Sequence, residues 1–417
     1  MRRRPPVRLY AVASVAVFAL LATTEARCQV PSWVNILDDA GQFETANHVE
    51  IDPGGDIIVG GLSYSSSRFG LRLAKLDPSG TVIWSNFFPT NSGIDAVAGM
   101  IGLAVDGAGN IAVVWRDGTG AFTMKVSGDG VELWRAVYDS PGRFEWPAGI
   151  VVDDEGRTSV GGYTSVRQPT GTLLTSAFIV SYDASGRLLW QDQDFGKQDR
   201  ETVYDIVRDP ASGAIYLAGE LDKNFGGLGR QSPWLVRYDP DGRRVWEKHY
   251  RQPGAIAFAQ KAVVGPDGNV VLAVDSPGYM GFQVLKVDAA SGKELWTAEH
   301  GEPAYNIDSD VGVDGSGNVF FISSGVLLRY TPDGALSWSV VGNIGGRLAV
   351  DASGSAYILW GWRTFGYDAT GREIWRTVYD AGPPLSTLNN ALVITPAGDM
   401  ILAGGEGDIH VLSYRLP

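Results

Sequence analysis

Apolar runs of four to eight residues, rich in Val, Ile, Leu and Tyr, alternate along this chain with short polar clusters built on Asp and Gly. Leu103-Ala104-Val105 leads into Asp106-Gly107-Ala108-Gly109, and Ile111-Ala112-Val113-Val114 follows. Runs of this length and composition, bounded by turn residues, predict β-strands. Asp at the first turn position caps backbone N–H groups, and Gly at the fourth accepts φ > 0, so each cluster predicts a type I turn. No segment carries a helical apolar period.

The turns fall into two interleaved series. One is Asp77 to Gly80, Ser127 to Gly130, Asp183 to Gly186, Asp239 to Gly242, Asp288 to Gly292, Thr331 to Gly334 and Asp368 to Gly371. Shortly after each of its glycines comes a tryptophan: Trp84, Trp134, Trp190, Trp246, Trp296, Trp338 and Trp375. The second series runs from Asp52–Gly55 to Thr395–Gly398 and has eight members. Each repeat therefore holds four strands, a to d, with Trp on d. A repeat of roughly 40 to 50 residues with four strands predicts a β-propeller blade. The fold class is all-β, a single propeller of eight four-stranded blades. The last repeat supplies only a, b and c, whereas Trp33 to Leu37 supplies only d. The N-terminal strand is expected to complete the last blade and close the ring.

The chain opens with Met1-Arg2-Arg3-Arg4 and an apolar stretch from Leu9 to Ala22. A charged start and a short apolar middle read as a secretory signal peptide. Residues 1–28 are assigned to it, with cleavage near 26–28, and residues 29–417 to the propeller. Cys28 is the only cysteine, and the residues before it do not make a lipobox. The net charge is −13 and becomes more negative once the arginines of the leader are removed. That surface argues against nucleic acid and anionic membranes. A periplasmic, cell-surface or extracellular monomer is expected.

Both turn series lie on one face of the disc. The b–c and d–a connections lie on the other, and these are longer and more variable, which is where binding residues concentrate. Counting four residues back from each a–b turn gives the positions expected at the channel mouth: His48, Gly102, Gly149, Asp205, Lys261, Asp310, Arg347 and Ala391. His48, Asp205, Lys261, Asp310 and Arg347 make this rim polar and mixed in sign. It suits either a polar ligand or a rim of mutually paired, solvated charges. Trp146 and Trp234 flank long loops, and with Arg143 and Tyr305 they are candidates for an aromatic platform that takes a sugar or a peptide. Arg116, Phe144, Tyr279, Phe282, Trp115, Trp360 and Trp362 belong to the same group. The competing reading is that these large residues fill seams between blades.

No nucleophile elbow, metalloprotease helix or phosphate loop occurs. The four histidines build no cluster. The Asp-rich turns, such as Asp314 to Asn318 or Asp239 to Gly242, invite a calcium reading, but none has the later bidentate carboxylate that such a loop uses.

Leu73 to Trp84 and Ala104 to Ile111 are similar to the bacterial exported β-propeller repeat. Asp288-Ala289-Ala290-Ser291-Gly292-Lys293-Glu294-Leu295-Trp296 resembles the tryptophan-docking motif of the PQQ-like eight-bladed propellers. The resemblance covers nearly all of the chain after the leader. It implies the fold and, among the functions of those families, either quinoprotein dehydrogenases or noncatalytic envelope scaffolds. The dehydrogenases carry an adjacent cysteine pair, which this chain lacks, so no pyrroloquinoline quinone is expected. The resulting expectation is a noncatalytic propeller without a cofactor, binding a protein or glycan through its long-loop face. The alternative is an envelope lyase, hydrolase or quinoprotein-like oxidoreductase with its site at the channel mouth.

Overall fold

A computed structural model describes residues 30–38, 42–65, 68–90, 100–118, 120–169, 171, 173–193, 200–222, 231–250, 256–276, 281–300, 309–323, 325–342, 344–379 and 390–417. Most of the longer d–a connections fall outside this set. The described residues form eight antiparallel sheets. Their innermost strands are Phe43–Ile51, Met100–Val105, Phe144–Val152, Arg200–Arg208, Phe258–Val264, Asp310–Val313, Arg347–Val350 and Asn390–Ile394. The sheets form a ring of eight blades, as the repeat predicts. Blade 8 takes its outer strand from the N-terminal segment, with Trp33 opposite Ser413 and Leu37 opposite Ile409. A two-residue strand, Glu406–Gly407, also pairs with Glu44 and Thr45 of blade 1 on the long-loop side.

The turns behave as their chemistry dictates. In the turn of blade 4, Asp239 Oδ1 accepts the backbone N–H groups of Asp241 and Arg243 at 3.2 and 2.9 Å. Gly242 takes φ = 85°, a region that L side chains avoid. Its missing side chain matters as much as its φ. The Trp190 ring from the previous blade lies where a Cβ would stand, 2.3 Å away. The same docking recurs in order: Trp33 on Gly80, Trp84 on Gly130, Trp134 on Gly186, Trp246 on Gly292, Trp296 on Gly334 and Trp338 on Gly371. The indole N–H of Trp296 donates to Pro332 O at 3.0 Å, and that of Trp338 to Ala369 O at 3.0 Å. Trp375 breaks the series. Blade 8 has no c–d turn, because its d strand comes from the other end of the chain. Trp375 is instead buried, meets Tyr414 edge-on at 5.3 Å and donates to Thr364 Oγ1 at 2.9 Å.

Between blades lie apolar seams. One joins Leu71, Leu73 and Ile58 of blade 1 to Leu103, Ile111 and Val113 of blade 2. Asp residues of the a–b turns are buried beneath these seams and meet cations from strand c. Lys125 reaches Asp106 Oδ2 at 2.7 Å with both side chains almost fully buried. Lys75 reaches Asp52 at 2.8 Å. Removing one member of such a pair leaves a buried charge alone, whereas the intact pair contributes little net stability.

Gly334→Ala places a Cβ 2.7 Å from Trp296 at φ = 88°. Gly268→Ala, at φ = 77°, meets nothing within 4 Å. Urea unfolding should show Gly268→Ala costing about 1 kcal/mol of backbone strain, and Gly334→Ala costing about 2 kcal/mol more through lost docking. Equal losses would show that the indole contact adds nothing.

Candidate functional site

The inner strands of five blades carry a register shift just before the predicted rim position: between Ala46 and His48, Met100 and Gly102, Pro147 and Gly149, Val203 and Asp205, and Ala259 and Lys261. Such a bulge re-aims the side chain that follows it. The rim residues do converge. His48 of blade 1 feels the charges of Lys261, on the opposite side of the ring, and of Arg347. Asp310 feels the same two cations. Lys261 Nζ lies 3.7 Å from Asp205 Oδ1.

The two acids are tied to the backbone. Asp205 Oδ2 accepts the N–H of Ala262 on the next inner strand at 2.9 Å. Asp310 Oδ2 accepts the N–H of Leu348, again on the next inner strand, at 3.0 Å, and Oδ1 accepts that of Val311 at 2.9 Å. These carboxylates act as staples between successive blades. Burial still raises Asp310 above the usual range, against the pull of Lys261, these amides and Arg347. Burial, reinforced by Arg347 and Lys261, holds His48 down to about 4, so its ring is neutral at physiological pH.

One rim member went unseen in the sequence. Glu50 follows His48 by two residues and so faces the same way, one layer deeper. Its counterparts two residues beyond each rim position are Ala104, Val151, Val207, Val263, Gly312, Ala349 and Val393, all half-buried. The repeat contains the signal, because a lone acid stands where every sister repeat is apolar. Glu50 is exposed by surface area, but its place on an inner strand crowds it with protein on several sides. Loss of bulk solvation raises it to about 7.

Above the rim, on the long-loop side, aromatic and charged groups form an arc. Arg116 lies over the Trp146 ring at 3.8 Å, and Tyr163 lies parallel to Trp146 at 6.1 Å. Trp146 Nε1 donates to Ser165 Oγ at 3.0 Å. Tyr163 and Tyr204 both feel Arg200 and Glu220, and Tyr204 packs against Phe258 at 5.4 Å. Arg143 is half-buried and lies 3.4 Å from Thr164 Oγ1. Phe144 is 48% exposed.

The residues expected to form the platform do not share one exposure. Trp234 is 1% exposed, packs in the seam of blades 3 and 4 and donates to Glu247 Oε1. Strand alternation turns it inward, so it offers no binding surface. Trp115, Trp362 and Phe282 are likewise buried. Tyr305 and Tyr279 lie outside the described residues. A second aromatic group was missed: Phe43, Tyr64 and Phe69 pack in succession at 5.0 and 5.9 Å, beside Arg68 stacked on Phe87 at 3.5 Å. These residues come from three strand ends, so no single stretch announced them.

The turn carboxylates considered for calcium are spent locally. Asp314 Oδ1 accepts the N–H groups of Ser316 and Asn318, and Oδ2 accepts Asn318 Nδ2 at 2.7 Å. Among the described residues no group of three or more His, Cys, Asp or Glu side chains is placed to hold a metal ion.

His48 takes up its proton in the unfolded chain near pH 6.5 but in the folded protein only near 4. Stability should therefore fall as pH drops through this window, because the unfolded state binds the proton first. Glu50 acts oppositely, gaining its proton first in the folded state. Urea midpoints at pH 6.5 and 4.5 should show a smaller acid loss in His48→Gln than in the parent. An unchanged loss would show that His48 is not the group responsible.

No curated protein matches the sequence. Among solved structures, a europium-containing methanol dehydrogenase is similar at 14% identity and a TM-score of 0.57, over 92% of this chain and 88% of that one. The Dos1 propeller is similar at 10% identity and a TM-score of 0.60, over 92% and 96%. Sqt1 from Chaetomium thermophilum is similar at 12% identity and a TM-score of 0.58, over 92% and 100%. At these identities the likeness establishes the fold alone. A family model described as outer membrane protein assembly factor BamB matches residues 175–339 and 231–415. Together these matches span more than half of the sequence, and the chain belongs to this family of PQQ-like β-propellers.

Proposed function

We propose that this protein is an exported, noncatalytic propeller that binds a protein or glycan through its long-loop face. The observation that carries this reading is the arc of aromatic and arginine side chains on that face, bordered by exposed Phe144 and, on blade 1, by Phe43 at 38% exposure. Tyr, Trp, Phe and Arg held by a rigid scaffold are the chemistry of interface hot spots. The family description, which names an assembly factor, favours a protein as the partner. Arg116 already covers one face of Trp146, which leaves less of that ring for a sugar. Export follows from the leader and agrees with the likeness of the repeats to an exported repeat.

The same reading leaves out a quinone bearing several carboxylates. Lys261 and Arg347 are balanced by Asp205 and Asp310 around the mouth, so no surplus positive charge awaits a polyanion. The single cysteine, Cys28, provides no adjacent pair. Catalysis at the mouth would need an acid and a base free to exchange protons. Asp205 and Asp310 are committed to backbone amides; His48 and Glu50 remain, side by side on one strand of blade 1 rather than opposed across the channel.

A photo-crosslinking residue placed at Phe144 or Phe43 should capture one discrete partner in cells. The same residue at Leu295, on an outer strand near the turn face, should capture none. Equal capture at all three positions, or capture at Leu295 alone, would sink the long-loop assignment.

A further inference from the structure

The channel at and below the rim combines three features that partner capture does not use. First, Glu50 is a carboxylate that no hydrogen bond or ion pair reaches among the described residues. Second, at its level the remaining inner strands present Ala and Val side chains and the bare backbone of Gly312, all half-buried, so the channel wall there is apolar and partly accessible. Third, one layer nearer the mouth stand two cations, Lys261 and Arg347, whose neighbouring acids are pinned to backbone amides.

Two residues along a strand span about 7 Å. The two cations stand on other blades, with neither contributing to the Glu50 shift, so the poles are further apart than that rise and leave room for a ligand between them. The channel thus offers a negative pole, an apolar collar and a positive pole in series. A single carboxylate cannot supply the six to eight oxygens of calcium, but it pairs well with an ammonium. We propose that the central channel binds an aliphatic ω-amino acid, its ammonium on Glu50, its methylenes along the Val and Ala collar and its carboxylate toward Lys261 and Arg347. A C-terminal lysine residue, its α-amine tied up in a peptide bond, has this chemistry. The neutral His48 between the poles adds a hydrogen-bonding group without altering the charge balance. The ligand is a net-neutral zwitterion, in keeping with a mouth whose charges already balance.

The groups facing Glu50 at the two channel layers are His48 on its own strand, Asp205, Lys261, Asp310 and Arg347 on four others, and none on the inner strands of blades 2, 3 and 8. Of these, His48 titrates near 4 and stays silent above pH 5. Glu50 must be ionised to bind an ammonium. Because burial raises it to about 7, affinity should fall as pH drops.

The test is isothermal titration of 6-aminohexanoate into the intact protein, which does not depend on any partner at the loop face. One-to-one binding is expected, with hexylamine and hexanoate each at least about tenfold weaker. Glu50→Gln should lower affinity about tenfold or more with its melting temperature maintained, since an isosteric amide removes only the charge. Lys261→Met should weaken 6-aminohexanoate but leave hexylamine unchanged. Binding should be about tenfold weaker at pH 6 than at pH 8 in the parent, and Glu50→Gln should lose most of that dependence, any remainder belonging to Asp310, which burial also raises. No saturable binding to the parent at millimolar ligand would overturn the proposal. Binding that Glu50→Gln leaves intact would do the same.

Discussion

An indole lying on a glycine makes seven of the eight junctions between blades, and the rest of the molecule depends on that contact. The glycine must satisfy two conditions together. Its φ must be positive to finish the turn, and it must lack a Cβ so that the ring can rest on it. At Gly242 and Trp190 both conditions are met within one turn and one side chain. Tryptophan brings a large apolar surface to this seam, and the Asp of the same turn fixes the backbone on which it lands. Once the contact repeats around a ring, the inner strands have no choice of position. They stand side by side around an axis, and the bulges aim a chosen side chain of five of them inward.

That geometry decides what the rim can do. A mixed set of charges around an opening looks, on paper, like a self-cancelling fringe. Here the acids and bases have separate tasks. Asp205 and Asp310 bridge to the amides of Ala262 and Leu348, tying blade 4 to 5 and blade 6 to 7. Lys261 and Arg347 remain to set the local field, and that field together with burial keeps His48 uncharged. A neutral imidazole beside two cations is a polar group without charge, suited to recognition and poorly suited to holding an anion.

The fold was legible because its determinants are local. Turn chemistry lies within four residues, and a Trp follows at nearly constant distance, so counting yields both blade number and rim positions. Counting also located His48, Asp205, Lys261, Asp310 and Arg347 at one mouth. It could not tell which acid would bind the neighbouring backbone, because that depends on the register between blades. Trp146 and Trp234 looked alike beside their loops. The first stands on an inner strand before a bulge and the second on a c strand whose alternation points it into a seam, and only the folded sheet separates them. Glu50 was open to view by aligning the repeats at the second channel layer, where it is the sole acid. The Phe43, Tyr64 and Phe69 group comes from three strand ends, so its proximity exists only after pairing.

Closure by strand exchange between the two ends also imposes an order of events. Trp33 is among the first residues of the propeller to be synthesised, yet its partner Ser413 is among the last. The pairing encloses almost the entire chain, and loop-closure entropy makes such a contact slow to form. Seven junctions can be made as soon as adjacent repeats exist, whereas the eighth waits for the strand Ile409–Arg415. Until then the first blade lacks the neighbour whose Trp33 rests on Gly80, and the last blade exposes an unpaired strand edge open to aggregation. The architecture thereby makes the C-terminal strand a checkpoint: a chain interrupted before it retains an open ring, and its exposed edge distinguishes it from the finished molecule.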